Sequence, residues 1–156
     1  MNIIRLLSTV IVGIALTNRA ELPTKKVLNL AALKNMAATV EAEAQKRNVH
    51  VTLAIVDESL NLLYLEKGDD ASLNTIQFAQ KKARHAAAFH SPSRLAAERV
   101  KGGDLSGLAM PDYFPNQGGL PIKIDTITIG GIGVSGAASE VDEAIAQAAL
   151  DATPLK

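Results

Sequence analysis

The stretch ITIGGIGVSGAASEVDEA, residues 127–144, constrains this chain more than any other. A β-branched run enters a cluster of glycines, Gly131-x-Gly133-x-x-Gly136, and leaves as a helical pattern. Taken alone, that is a dinucleotide-binding fingerprint. Such a site also needs a second parallel strand and an acidic residue about 20 positions further on to hold a ribose. Only 20 residues follow Gly136, and a closing helix uses most of them. The Rossmann reading therefore fails. What remains is local physics. Glycine tolerates the positive φ of a sharp strand-to-helix turn, and the amides of a helix N-terminus attract anions. The corner is either a tight structural turn or the carboxylate-binding edge of a pocket. In the second case its ligand contacts are Gly133, Ser135 and Gly136, with Gly118, Gly119 and Pro121 from the segment before it.

The rest of the chain supplies hairpins and helices. Asn29 is a good N-cap, and Leu30, Leu33, Ala37, Val40 and Ala44 recur at helical spacing. Residues 49–57 alternate: Val49, Val51, Leu53 and Ile55 on one side, His50, Thr52, Ala54 and Val56 on the other, which predicts a strand. The turn formers of 57–61 lead into a partner strand at 62–67. Ser72 is read as the cap of a helix over Leu73–Phe89, with Ile76, Ala79, Ala83 and Ala87 on one face. Pro92 breaks it, a short helix Leu95–Lys101 follows, and the Gly- and Pro-rich segment 102–121 forms a long loop. Strands at 121–125 and 126–134 precede a last helix, with Ser139 as its cap and Asp142 completing a capping box. Its expected buried face is Val141, Ala144, Ile145, Ala148 and Ala152. The order α-β-β-α-(α)-β-β-α, with strands joined as hairpins, predicts an α+β domain on a central antiparallel sheet flanked by helices.

Charge and composition narrow the function. Lys+Arg and Asp+Glu balance at 16 each, and no basic run exists, which argues against nucleic acid as a partner. The chain has no cysteine, which excludes disulfides, thiolate chemistry and Cys-ligated metal centres. Residues 1–20 combine Arg5, an apolar run from Leu6 to Leu16 and a terminal Ala20. That run is too short for a stable membrane span, which takes roughly 20 residues, but suits a secretory signal cleaved after Ala20. The expectation is a signal at 1–20, a single domain at 21–156, and a periplasmic or secreted protein. An ordinary N-terminal core strand would instead make it cytoplasmic.

Three further segments extend the glycine corner into a family resemblance. GGLPI (118–122), GGIGVSGA (130–137) and DEAIAQAALDA (142–152), with LAIVDESLNLLYLEK and AQKKARHAAAF upstream, resemble the GlcG/HbpS-type haem-degrading-domain family. That family includes the C-terminal domain of PduO-type proteins. The start AELPTKKVLNLA is similar to the mature N-terminus of secreted members. The resemblance implies a profilin-like fold and assembly into homo-oligomers. It also implies a haem ligand in some members, with degradation ascribed to some, and a link to glycolate or corrinoid metabolism in others. The chain departs from the family at the turn Glu58-Ser59-Leu60-Asn61, often Gly-rich there, at His85, where Thr is common, and at SPSR (91–94), often basic.

If haem is the cofactor, its iron needs a His or Tyr here. His85 shares a helix face with Phe78 and Phe89, a stripe suited to a flat apolar ligand; His90, near the helix end, is the second candidate, with His50 and Tyr113 behind them. Arg84, Arg94 and Lys82 could meet propionates or a small carboxylate, or simply solvate exposed helix faces. Asp57 and Glu58 are adjacent on a strand and do not converge, and Asp69-Asp70 reads as a loop or a weak cation site. No catalytic mechanism is legible. The leading expectation is an oligomeric haem-binding protein, with haem degradation or haem sensing as its refinements. The alternatives are a module for a small glycolate-like organic acid and a non-enzymatic oligomeric sensor or assembly partner.

Overall fold

Strand β1 (Thr52–Asp57) is buried along almost its whole length, and that sets the layering. Its Leu53 and Ile55 join Leu33, Met36 and Val40 of α1 (Leu30–Lys46) and Ile145 and Ala149 of α4 (Ser139–Asp151) in the main core. Ala54 and Val56 face the other way, onto Ala79, Ala83 and Ala87 of α2 (Thr75–Phe89). Because successive strand residues point to opposite faces, α1 and α4 cover one side of the sheet and α2 the other. The computed structural model that shows this describes residues 21–22 and 24–156. The expected signal at 1–20 lies outside the described residues.

Four strands form the sheet in the order β2-β1-β4-β3, with β2 at Leu62–Lys67, β3 at Gly119–Ile124 and β4 at Ile127–Ser135. All three pairings are antiparallel. Central strands β1 and β4 run in register from Thr52↔Ser135 to Asp57↔Gly130, while the outer pairings each shift once, at Ile55/Val56 and at Ile122/Lys123. The fold is the expected α+β arrangement, a profilin-like antiparallel sheet flanked by helices. No helix among the described residues is long and apolar enough to cross a membrane.

Packing of α2 explains the glycines. A Cβ added to Gly133 would collide with the Ala79 carbonyl oxygen, and one added to Gly131 with that of Ala83. Helix backbone therefore rests directly on strand backbone, an approach only glycine permits. On the opposite face the neighbouring Ile132 and Val134 are fully buried in the aliphatic core. Each such side chain contributes about 1.5–3 kcal/mol of burial.

Several local expectations shift. Helix α2 starts at Thr75, after Asn74, and Ser72 supplies no side-chain cap; its carbonyl accepts from the Thr75 amide instead. Helix α3 spans Ser93–Lys101, two residues longer at its start than expected, because Pro92 at its N-cap lacks the amide that helix entry leaves unpaired. Ala138, not Ser139, is the N-cap of α4, and no side chain caps the helix; Asp142 accepts instead from the Ala137 amide, just before it, at 2.9 Å. The buried face of α4 is Asp142, Ile145, Ala146 and Ala149, a rotation of about one residue that leaves Ala144 and Ala152 exposed. The cause is polar: Asp142 is drawn inward by an ion pair.

Candidate functional site

That ion pair fills the glycine corner. Lys82 Nζ of α2 donates to Asp142 Oδ2 of α4 at 2.8 Å and to the Val134 carbonyl at 2.9 Å, and both charged side chains are 2 % exposed. Burial pulls Lys82 below the ordinary lysine value and lifts Asp142 above the ordinary carboxylate value, while their mutual attraction opposes both. Gly118, at φ +118°, packs on the pair: a Cβ there would sit 2.9 Å from Lys82 Nζ. A Cβ on Gly119 would meet the Lys82 carbonyl, and the Gly119 amide is already bonded to Ser93 Oγ at 2.9 Å. Gly136, at φ +152°, turns the chain against the His50 carbonyl. Ser135 is buried, and Pro121 is half-buried on β3. Gly118, Gly119, Gly133 and Gly136 thus have no room for even a methyl side chain. These close approaches account for the glycines as a tight structural turn.

The open chemistry lies at the other end of α2. His85 is 1 % exposed, stacked on Phe89 with centroids 4.7 Å apart, and met edge-on by Tyr113 at 5.2 Å. Phe89 and Tyr113 are also edge-to-face, at 5.4 Å and 87°, geometry that aromatic pairs prefer. The ends of α2 and α3 and the long loop enclose a cleft of about 500 Å³ here, with Leu95 and Arg99 in its wall beside the three rings. Phe78 does not belong to this group. It pairs instead with Phe114 at 5.8 Å, so the expected three-membered stripe on α2 is split by the loop.

His85 is held by that loop. The Phe114 amide donates to its Nδ1 at 3.0 Å. A neutral imidazole carrying this bond has its proton on Nε2, so its bare nitrogen is already engaged. Burial lowers the His85 pKa, against an opposing contribution from the Asp112 carbonyl. Coordination of iron by His85 would require the Phe114 bond to break. Arg84 secures the same loop: its Nε donates to Asp112 Oδ1 at 2.6 Å and its Nη1 to the Leu60 carbonyl at 2.8 Å. It is a brace between hairpin and loop, already paired with a carboxylate of the chain itself.

The other candidates stand apart. His90 ends α2 in a left-handed conformation, φ 54°, exposed and outside the cleft wall. His50 is exposed, 3.9 Å from Asp70. Asp57 is engaged by the amides of Ser59 and Asn61 while Glu58 pairs with Lys25, so the two carboxylates diverge. Arg94 bridges Glu98 at 3.1 Å and Glu143 at 3.3 Å. No group of three or more potential metal ligands forms among the described residues.

The antiparallel α+β fold matches that of known proteins. Residues 28–151 match the family model described as haem degrading protein HbpS-like. The chain belongs to the HbpS-like family. Among its relatives, Protein GlcG of Escherichia coli K12 is 32 % identical over 112 residues, 72 % of this chain and 84 % of GlcG. The crystal structure of HbpS superposes with a TM-score of 0.79 at 29 % identity, over 86 % of this chain and 96 % of HbpS. A PduOC–haem complex superposes at 0.75 with 29 % identity, over 81 % and 95 %. The HbpS-like chain thus shares both sequence and fold with these relatives.

Three contributors escaped the sequence. Ser93 is fully buried and links the long loop to β3, donating to the Asn116 carbonyl at 2.7 Å and accepting from Gly119. Arg99 reaches the cleft from α3. Asp142 is the buried counter-ion of Lys82, 60 residues away. A carboxylate in the first turn of an apolar helix was the only signal for the last of these, and a cap explains it equally well.

Proposed function

We propose that this chain is a haem-binding protein that holds the porphyrin in the cleft between α2, α3 and the long loop. The cleft's paired aromatic wall of Phe89 and Tyr113 over the buried His85 carries this reading. Flat apolar rings suit a macrocycle, and the Arg99 guanidinium, 3.4 Å from Asp104 at its nearest, suits a propionate. The PduOC relative, crystallised with haem, supports the same ligand. Haem supplies an iron centre whose reactivity follows its axial ligand. With His85 Nδ1 committed to the loop, Tyr113, whose hydroxyl makes only a 3.4 Å bond to the Ala96 carbonyl, is the side chain here best able to offer an oxygen.

The working unit is an oligomer in this reading. Edge strand β2 exposes Leu62, Leu63 and Leu65 at 46, 38 and 39 %, and an unpaired apolar edge favours pairing with another copy. Residues 1–20 act as an export signal, and haem degradation or sensing is the finer role. Hemin titration of the purified protein tests the core of the proposal. A saturable Soret shift at micromolar hemin, weakened at least tenfold by Tyr113→Ala, is the expected result. A flat titration with the oligomer intact by light scattering would end it. Retention of the Soret band after reductant is added would remove degradation alone, and an exported protein that still carries residues 1–20 would remove the signal.

A further inference from the structure

Far from the cleft, the N-terminal segment, the β3–β4 hairpin and the residues after α4 meet around two adjoining cavities of about 590 and 330 Å³, with Lys26, Ile124 and Ile129 lining both. The larger one is apolar along Ile124, Ile127 and Ile129, and Ile127 is 68 % exposed with nothing of the described chain covering it. The smaller one opens at the first turn of α1, against Ala31 and Ala32. A helix start leaves amides unpaired within the helix and carries a partial positive charge. Asn29 Oδ1 satisfies only the Ala32 amide there.

Thr153 gives this place its chemistry. Its residue is 6 % exposed, it stands in the wall of the smaller cavity, and its buried Oγ1 has no hydrogen-bond partner among the described residues. A buried hydroxyl without a partner is costly, and native proteins rarely leave one unused. No Asp or Glu side chain lines the smaller cavity, whereas Lys26 does. Asp125 and Glu58 line the larger one, Glu58 paired with Lys25. The smaller cavity thus has lysines and no acidic side chain in its wall, whereas the larger one balances Lys25 and Lys26 against Glu58 and Asp125.

We propose that these cavities form a second binding site, for a monocarboxylate with an apolar tail. The carboxylate accepts hydrogen bonds from Thr153 Oγ1 and the Lys26 ammonium beside the α1 N-terminus. The tail lies along Ile124, Ile127 and Ile129. That apolar strip gives the tail its place and favours a fatty-acid-like ligand over a dicarboxylate.

Calorimetric titration of the purified protein with decanoate below its micelle threshold, beside decanol, tests the site. Decanoate is expected to bind saturably and decanol at least tenfold more weakly. Thr153→Val, which keeps the side-chain shape, is expected to weaken decanoate by about tenfold, the loss of one hydrogen bond to a charged group. Ile127→Glu, at an exposed position, is expected to weaken it comparably, and neither variant should move the hemin titration. No saturable decanoate binding would overturn the proposal. So would equal binding of decanol, or a Thr153→Val protein that binds decanoate like the parent. Because the cleft shares no residue with this site, a failed hemin titration leaves it standing, and the converse holds.

Discussion

Two faces of one sheet are packed by opposite means. Toward α1 and α4, β4 presents Ile132 and Val134 into a core of large aliphatic side chains. Toward α2 the same strand presents Gly131 and Gly133, and the helix comes down until its own carbonyls occupy the space of the missing Cβ atoms. One face is cohesive because large side chains fill it, the other because its side chains are few and small enough for backbone to meet backbone. The first kind tolerates changes of shape within its volume; the second tolerates no added atom. Where the two layers meet, near the end of β4, a buried ion pair joins α2 to α4.

Breaking that junction is the harshest test. Asp142→Ala leaves the Lys82 ammonium buried without its counter-charge and should cost about 3–5 kcal/mol in urea unfolding. The double change Lys82→Met with Asp142→Leu should recover most of the loss. A single change as mild as a surface mutation would mean the pair does not join the layers. Next come the faces themselves. Gly133→Ala, which adds one carbon, and Met36→Ala, which removes three heavy atoms from the fully buried Met36, should each cost about 3 kcal/mol. A neutral Gly133→Ala would show that α2 can lift off the sheet and would dissolve the contrast.

Acid gives a smaller effect at the end of α2. Burial holds the folded-state pKa of His85 below its ordinary 6.5, so on acidification the unfolded chain takes up this proton first. His85 therefore contributes full stability above about pH 6.5, and that contribution is lost as pH falls toward its depressed folded-state value. Unfolding curves stepped downward from pH 7 should show the loss, and His85→Phe should flatten it. Smallest of all, Arg84→Met should cost about 1 kcal/mol while markedly speeding amide exchange across residues 110–116. Unchanged exchange there would deny Arg84 its bracing role.

How much of this was readable in the chain depends on distance along it. Strand β1 and helices α1 and α2 were legible because their signals are periodic and local. His85 and Phe89, four apart on one helix, were legible as neighbours for the same reason. Tyr113 was not legible as their partner, because only the fold of an irregular loop brings it there. The glycines were plain in the sequence but their purpose was not. The atoms that forbid a side chain at Gly133 belong to Ala79, on another element. Lys82 read as a solvated helix charge because nothing local marks its partner 60 residues later. Long-range polar pairing leaves no periodic trace.

The Lys82–Asp142 pair has a consequence for how such a chain can diverge. Losing either member alone strands a charge in the interior, whereas losing both together exchanges it for ordinary hydrocarbon. Inheritance should treat the two positions as a single character, kept whole or discarded whole, and descendants caught midway should be scarce.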